Sequence, residues 1–101
     1  MIIYSVTVSL APHIEEDWKN WMISKHIPDV MNTGMFIEKK MTKVIDGHEE
    51  GAINYNIQYT CESHDKLNEY QETHAPELQK AHGDRYKENF IAFRTILEVI
   101  D

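Results

Sequence analysis

The sequence predicts an α+β fold of order βαββαβ, with a four-stranded antiparallel sheet and both helices on one face. Three observations carry this expectation. Four segments alternate apolar and polar residues at period two, two others repeat apolar residues every three to four positions, and the chain divides into similar halves. A helical bundle could not absorb four period-two segments.

The first alternating segment runs from Ile2 to Leu10, with Ile2, Tyr4, Val6, Val8 and Leu10 on one face and Ser5, Thr7 and Ser9 on the other. Pro12 suits a first helical turn, and Ile14, Trp18, Met22 and Lys25 then recur at helical spacing, with Trp21 broadening the stripe. Glu15, Glu16 and Asp17 oppose the positive end of that helix's dipole. A helix is therefore expected over 12–25. Pro28 disfavours helical geometry at Ile27, so this helix should end near His26, with Pro28 opening a second short helix that Gly34 closes.

A second strand follows over 35–45, with Met35, Ile37, Met41 and Ile45 on one face and Glu38, Lys40 and Thr42 on the other. The polar stretch 46–51 holds two glycines and reads as a hairpin connection, so strands two and three should pair antiparallel. Strand three, 52–61, sets Ile53, Tyr55, Ile57, Tyr59 and Cys61 against Asn54, Asn56, Gln58 and Thr60. Ser63 is a candidate N-cap, with Lys66 where a capping-box acid would stand. Leu67, Tyr70, His74, Leu78, Ala81 and His82 then give a helix, bent or broken at Pro76. Gly83 either stops that helix or is tolerated within a further turn ending near Glu88. The last strand, 90–100, sets Ile91, Phe93, Leu97 and Val99 against Ala92, Arg94 and Glu98. This order is the split βαβ, or ferredoxin-like, arrangement.

Length and composition bound the function. A chain of 101 residues and 11.9 kDa supports one core, hence a single domain over 1–101. A net charge of −7 argues against nucleic acid or an anionic membrane as partner, since both need clustered Lys and Arg. Cys61 is the only cysteine, so no intrachain disulfide forms, and in its apolar-alternating run it reads as a small buried hydrophobe. A reducing compartment suits it. The amino terminus alternates without a basic n-region, so no signal peptide is expected, and no apolar run approaches a membrane span. A cytoplasmic location follows.

If the apolar strand faces meet the helices, the second sheet face consists of Ser5, Thr7, Ser9, Glu38, Lys40, Thr42, Asn54, Asn56, Gln58, Thr60, Arg94 and Glu98. On strands one and three this face carries no charge. A chain with 27% charged residues would ordinarily place Lys and Glu on a solvated face, so packing against a second sheet in a twofold homodimer is expected. The space between the sheets could hold a small ligand, with Arg94 as a fixed positive charge.

Chemistry could reside at the repeated corners His26-Ile27-Pro28-Asp29 and His74-Ala75-Pro76-Glu77. A histidine at a helix end feels the dipole, and the next helix offers free N–H groups for an anion, so His26 and His74 are the candidate proton-transfer groups. The plainer alternative is chain punctuation by the prolines, with Asp29 and Glu77 already meeting those N–H groups. Arg94, Trp18, Tyr70, Asn56 and Gln58 are the candidate ligand contacts, although Trp18 and Trp21 also read as core and interface packing. A metal site could be drawn from His26, Asp29, His74, Glu77 and His82, but their spacing matches no compact ligand motif, and neither metal nor cofactor is expected. His13, His48 and His64 fall in predicted turns or helix starts and should lie at the surface.

Several stretches together resemble the small bacterial proteins grouped as domain of unknown function 4286. They are Ile2-Ile3-Tyr4-x-Val6-Thr7-Val8, Trp18-x-x-Trp21-Met22-x-x-x-His26-Ile27-Pro28-Asp29-Val30-Met31-x-Thr33-Gly34, Tyr55-x-x-Gln58-Tyr59, His74-Ala75-Pro76-x-Leu78 and Phe90-x-Ala92-Phe93-Arg94-Thr95-x-Leu97-Glu98-Val99-Ile100. The resemblance covers nearly the whole chain and implies a subunit of the dimeric α/β barrel type, with no established activity. A looser similarity extends to the antibiotic-biosynthesis monooxygenase, EthD-like and stress-responsive barrel groups, and His74-Ala75-Pro76 is similar to the His-x-Pro pattern of the EthD-like group. Haem-degrading members of that superfamily pair a helix histidine with an asparagine on strand one, where this chain offers Ser5, Thr7 and Ser9. That departure counts against haem.

Two functions compete. In one, a homodimer binds or transforms a small anionic or aromatic molecule in a pocket between sheet and helices, using His26 or His74 as acid or base. In the other, a non-enzymatic dimeric module binds a partner protein through its acidic outer surface.

Overall fold

Residues 1–47 and 51–101 are described in a computed structural model, in which β1 (Ile2–Leu10) runs through the middle of a four-stranded sheet. It pairs with β3 (Ile53–Cys61) on one side and β4 (Phe90–Glu98) on the other, and β2 (Glu38–Lys43) completes the order β2-β3-β1-β4. Every pairing is antiparallel. The register sets Tyr4 opposite Tyr59 and Ile96, and Val6 opposite Ile57 and Arg94. The element order βαββαβ and this topology are those of a ferredoxin-like α+β fold.

The even-numbered residues of β1 and the odd-numbered ones of β3 share the face that meets the helices. Tyr4, Val8, Leu10, Tyr55, Ile57, Tyr59 and Cys61 are buried there against Trp18, Met22, Val30 and Leu67. Fully burying a side chain such as Ile57 contributes about 2 kcal/mol, so this layer dominates the fold's stability. Polar contacts tie the helical arms together. Trp18 Nε1 donates to His82 Nε2 at 2.8 Å, and the Tyr86 hydroxyl donates to Asp17 at 2.8 Å.

The first helical arm departs from the break expected at His26. A 3-10 turn (Pro12–Ile14), α1 (Glu15–Trp21), a π turn (Met22–His26) and α2 (Ile27–Met31) follow without interruption. Pro28 has no N–H for the carbonyl one turn back, and the expected response is a helix end. Instead the Ile27 N–H bonds to Met22 O, five residues back, and the wider turn carries the helix past the proline. The second arm repeats the device. After α3 (His64–Glu69), the π turn Tyr70–His74 bonds Ala75 N–H to Tyr70 O and leads straight into α4 (Ala75–Tyr86), so Pro76 does not break the helix. Each His-x-Pro is thus the end of a π turn.

Gly34 does release the chain, with φ of 77°, in the left-handed region that favours glycine. Ser63 caps α3 by accepting from Lys66 N at 3.2 Å. Gly83 is tolerated inside α4, which ends at Tyr86, and a 3-10 turn (Lys87–Asn89) follows.

Two strand expectations need correction. The second strand is only Glu38–Lys43, so Ile37 and Ile45 stand exposed, and Phe36, just ahead of it, supplies the buried aromatic. Strand four lies the other way over. Pairing with β1 puts Phe90, Ala92, Arg94, Ile96 and Glu98 on the helix side, leaving Ile91, Phe93, Thr95 and Leu97 beside Ser9, Thr7, Ser5 and Ile3 on the open face. Arg94 and Glu98 therefore leave the predicted second face, and an apolar strip takes their place. The hairpin connection over 46–51 and the surface position of His48 involve residues 48–50, which lie outside the described residues.

Candidate functional site

Because Arg94 sits opposite Val6, its side chain lies over the face that the helices cover, where it meets a small cavity of about 40 Å³. Val6, Val8, Met22, Val30, Ile57 and Ala92 form apolar walls, and Leu78 and Gln79 of α4 bound it on the helix side. The polar groups around it are Arg94, Tyr4, Tyr59, Tyr70, His26, His82 and the Gln79 amide. The cavity is bounded by β1, β3, β4 and both helical arms.

The two π turns line the cavity through Met22 and His26 of the first and Tyr70 of the second. The first ends on His26, whose ring stacks on Trp21 with centroids 5.0 Å apart and stands 5.7 Å from the His82 ring. The second begins at Tyr70, which packs edge-on to Tyr4 at 5.6 Å and to Phe36 at 4.7 Å. Extra-wide turns of this kind rotate the following residues relative to an α-helix and recur at functional sites.

Both histidines are neutral at ordinary pH. Burial pushes His26 down to about 4, with Asp29 pulling it back up and the Arg94 charge pushing further down. Burial likewise pushes His82 to about 4, helped by the neighbouring His26 and Arg94. His82 Nε2 accepts the Trp18 indole proton, so its own proton sits on Nδ1. His82 is held in one tautomer, whereas His26 makes no side-chain hydrogen bond among the described residues and is the histidine available to a ligand.

Arg94 Nε donates to the Tyr4 hydroxyl at 3.0 Å, a diagonal contact between neighbouring strands. Burial is the main cause that pushes the Tyr59 and Tyr70 phenols well above their usual range, so both stay protonated.

The structure divides the residues singled out from the sequence. His26, Tyr70 and Arg94 meet at the cavity. His74, the last residue of the second π turn, is half-buried beside Tyr70 at 6.3 Å and does not line it. Trp18 is completely buried and positions His82. Asn56 and Gln58 lie on the open face, where Asn56 Nδ2 donates to Ser5 Oγ at 2.9 Å and Thr7 Oγ1 at 3.0 Å. Asp29 pairs with Lys25 at 2.9 Å. Among the described residues no group of three His, Cys, Asp or Glu is placed to hold a metal ion. Sequence reasoning missed Tyr4, Tyr59 and His82 as cavity residues. Tyr4 and Tyr59 were visible only as core positions, and their pairing across β1 and β3 was the available signal.

A second concavity, of about 290 Å³, opens on the other sheet face between Thr7, Ser9, Ala52, Asn54, Ile91 and Phe93. Phe93 there is 63% exposed. None of the described helices is long and apolar enough to cross a membrane.

A family model described as "Domain of unknown function (DUF4286)" matches residues 1–100. No curated protein matches the chain. Among solved structures, an ethyl tert-butyl ether d (EthD) family protein from Bacillus halodurans superposes with a TM-score of 0.75 at 12% identity, covering 99% of this chain and 100% of that one. A dimeric ferredoxin-like protein from an uncultured marine organism gives 0.70 at 13% identity, covering 100% and 96%. A MhuD variant with two manganese protoporphyrin IX bound per active site gives 0.72 at 14%, covering 99% and 95%. At such identities the likeness is one of fold.

Proposed function

The chain belongs to the DUF4286 family, whose description assigns no activity, and from that premise we propose that it is a homodimeric small-molecule-binding protein. Its ligand would occupy the space between sheet and helices, against Arg94 and His26. The observation that carries this reading is the convergence of a guanidinium and a neutral imidazole on one largely apolar cavity. Such a pair suits a small aromatic or anionic molecule. The imidazole can take a proton from it, and the guanidinium can hold the resulting charge. A void of 40 Å³ accommodates one or two waters, so a larger ligand enters by displacing the Leu78 and Gln79 side of the wall.

Homodimerisation would use the open sheet face, where Ile91, Phe93 and Leu97 form an apolar strip beside the hydroxyls and amides of β1 and β3. An apolar centre with few charges is what a stable interface needs. The dimeric ferredoxin-like neighbour is consistent with this assembly. A cytoplasmic setting fits the single, buried Cys61.

The experiment is a titration of isotope-labelled protein with a library of small aromatic and acidic fragments, read at backbone amides. Shifts clustered at His26, Tyr70 and Arg94 support the reading. Shifts confined to the open face would overturn it.

A further inference from the structure

Around the cavity the hydrogen-bond donors outnumber the acceptors. Arg94 carries five N–H donors and no acceptor, and Nε alone is used, on Tyr4. Its two Nη groups have no partner among the described residues. Tyr59 and Tyr70 are each only 3% exposed, and neither hydroxyl has a hydrogen-bond partner among the described residues. Tyr4, also 3% exposed, accepts from Arg94 and keeps its own O–H to give. The side chains lining the cavity include no Asp or Glu. No buried side-chain donor or acceptor among the described residues is left unpaired, so these hydroxyls open onto the cavity, where a ligand that supplies acceptors can receive hydrogen bonds from them and from the free Nη groups.

We propose that Arg94, Tyr4, Tyr59 and Tyr70 form a subsite for the carboxylate group of a small acid. This rests on the ligand-binding reading above and narrows its substrate class. An ionised carboxylate offers about four lone-pair positions and no donor, which matches the guanidinium and the three phenol O–H groups. The two Nη groups can grip it in a two-pronged contact while the phenols close over the remaining lone pairs. Burial keeps the Tyr59 and Tyr70 protons in place, so the phenols remain donors beside the anion. The rest of the acid would lie along Val6, Val8 and Ala92, towards His26. An amide of the same shape carries no charge to pair with the guanidinium and binds more weakly.

The test compares propionate, propionamide and inorganic phosphate, titrated by NMR into wild type, Tyr59→Phe, Tyr70→Phe and Arg94→Gln. Arg94 is exposed at the rim, so its replacement keeps the fold even if a tyrosine variant does not. The expected result is propionate binding at the cavity amides, at least about tenfold weaker in each variant, with propionamide and phosphate at least about tenfold weaker in wild type. Propionate and propionamide binding alike, phosphate binding in preference, or variants that leave propionate affinity unchanged would overturn the carboxylate subsite while leaving a small-molecule site intact. If neither these probes nor any aromatic fragment shifts the cavity amides, the subsite and the ligand-binding reading both fall.

Discussion

The indole N–H of Trp18 donates to Nε2 of His82 at 2.8 Å, joining residues 64 positions apart inside the core. The bond needs a neutral His82 with its proton on Nδ1. Replacing His82 by Phe keeps an aromatic ring of similar bulk and leaves the buried indole N–H without its acceptor. The expected loss is about 1–3 kcal/mol, measured as a lower urea midpoint with an unchanged slope. An unchanged midpoint would mean the bond contributes nothing.

Acid should weaken the fold through the same pair of histidines. His26 and His82 have folded values of about 4 against an ordinary 6.5, so the unfolded chain takes up protons that the folded chain refuses between those limits. Stability is complete above pH 6.5 and is lost as pH falls toward 4, by on the order of 3 kcal/mol for one such histidine taken alone. Urea midpoints recorded across that window should fall with pH, and the imidazole resonances of both residues should stay in their neutral positions down to about pH 5. Histidines that titrate near 6.5 would contradict this assignment.

Ser63→Ala removes the hydroxyl that accepts from Lys66 N at the start of α3. The cost should be about 1 kcal/mol, seen as a thermal midpoint lower by roughly 4–8 °C. A loss below a few tenths of a kcal/mol would show that water replaces the cap without penalty.

Phe93 stands 63% exposed at the centre of the apolar strip on β4. Phe93→Lys should convert the dimer to a monomer, halving the mass found by light scattering at micromolar concentration while leaving the circular dichroism spectrum intact. A wild-type protein that is already monomeric, or a variant that stays dimeric, would place the interface elsewhere or remove it.

Alternation made β1, β3 and their pairing legible, because Ile2–Leu10 and Ile53–Cys61 keep strict period two with the apolar set buried. It could not say which face of β4 meets the helices. Both faces there are partly apolar, Phe90, Ala92 and Ile96 against Ile91, Phe93 and Leu97, and only the register with β1 decides. That single inversion moved Arg94 from a supposed dimer surface into the cavity. The prolines misled for a related reason. Their local chemistry says stop, yet a carbonyl bonded five residues on lets the helix continue, and the His-x-Pro repeat marks two π turns. His26 and Tyr70 could be named in advance as chemistry-bearing residues. Their meeting with Tyr4, Tyr59 and His82 arises from strand pairing and helix packing, which no local pattern displays.

The central claim is that a small molecule is held between sheet and helices at Arg94 and His26. A crystal structure of the protein with its tightest-binding fragment tests it most directly. Ligand density is expected inside the cavity, within hydrogen-bond reach of the Arg94 guanidinium and on the side facing His26. Density found only on the open face around Phe93, with the cavity unchanged, would contradict it.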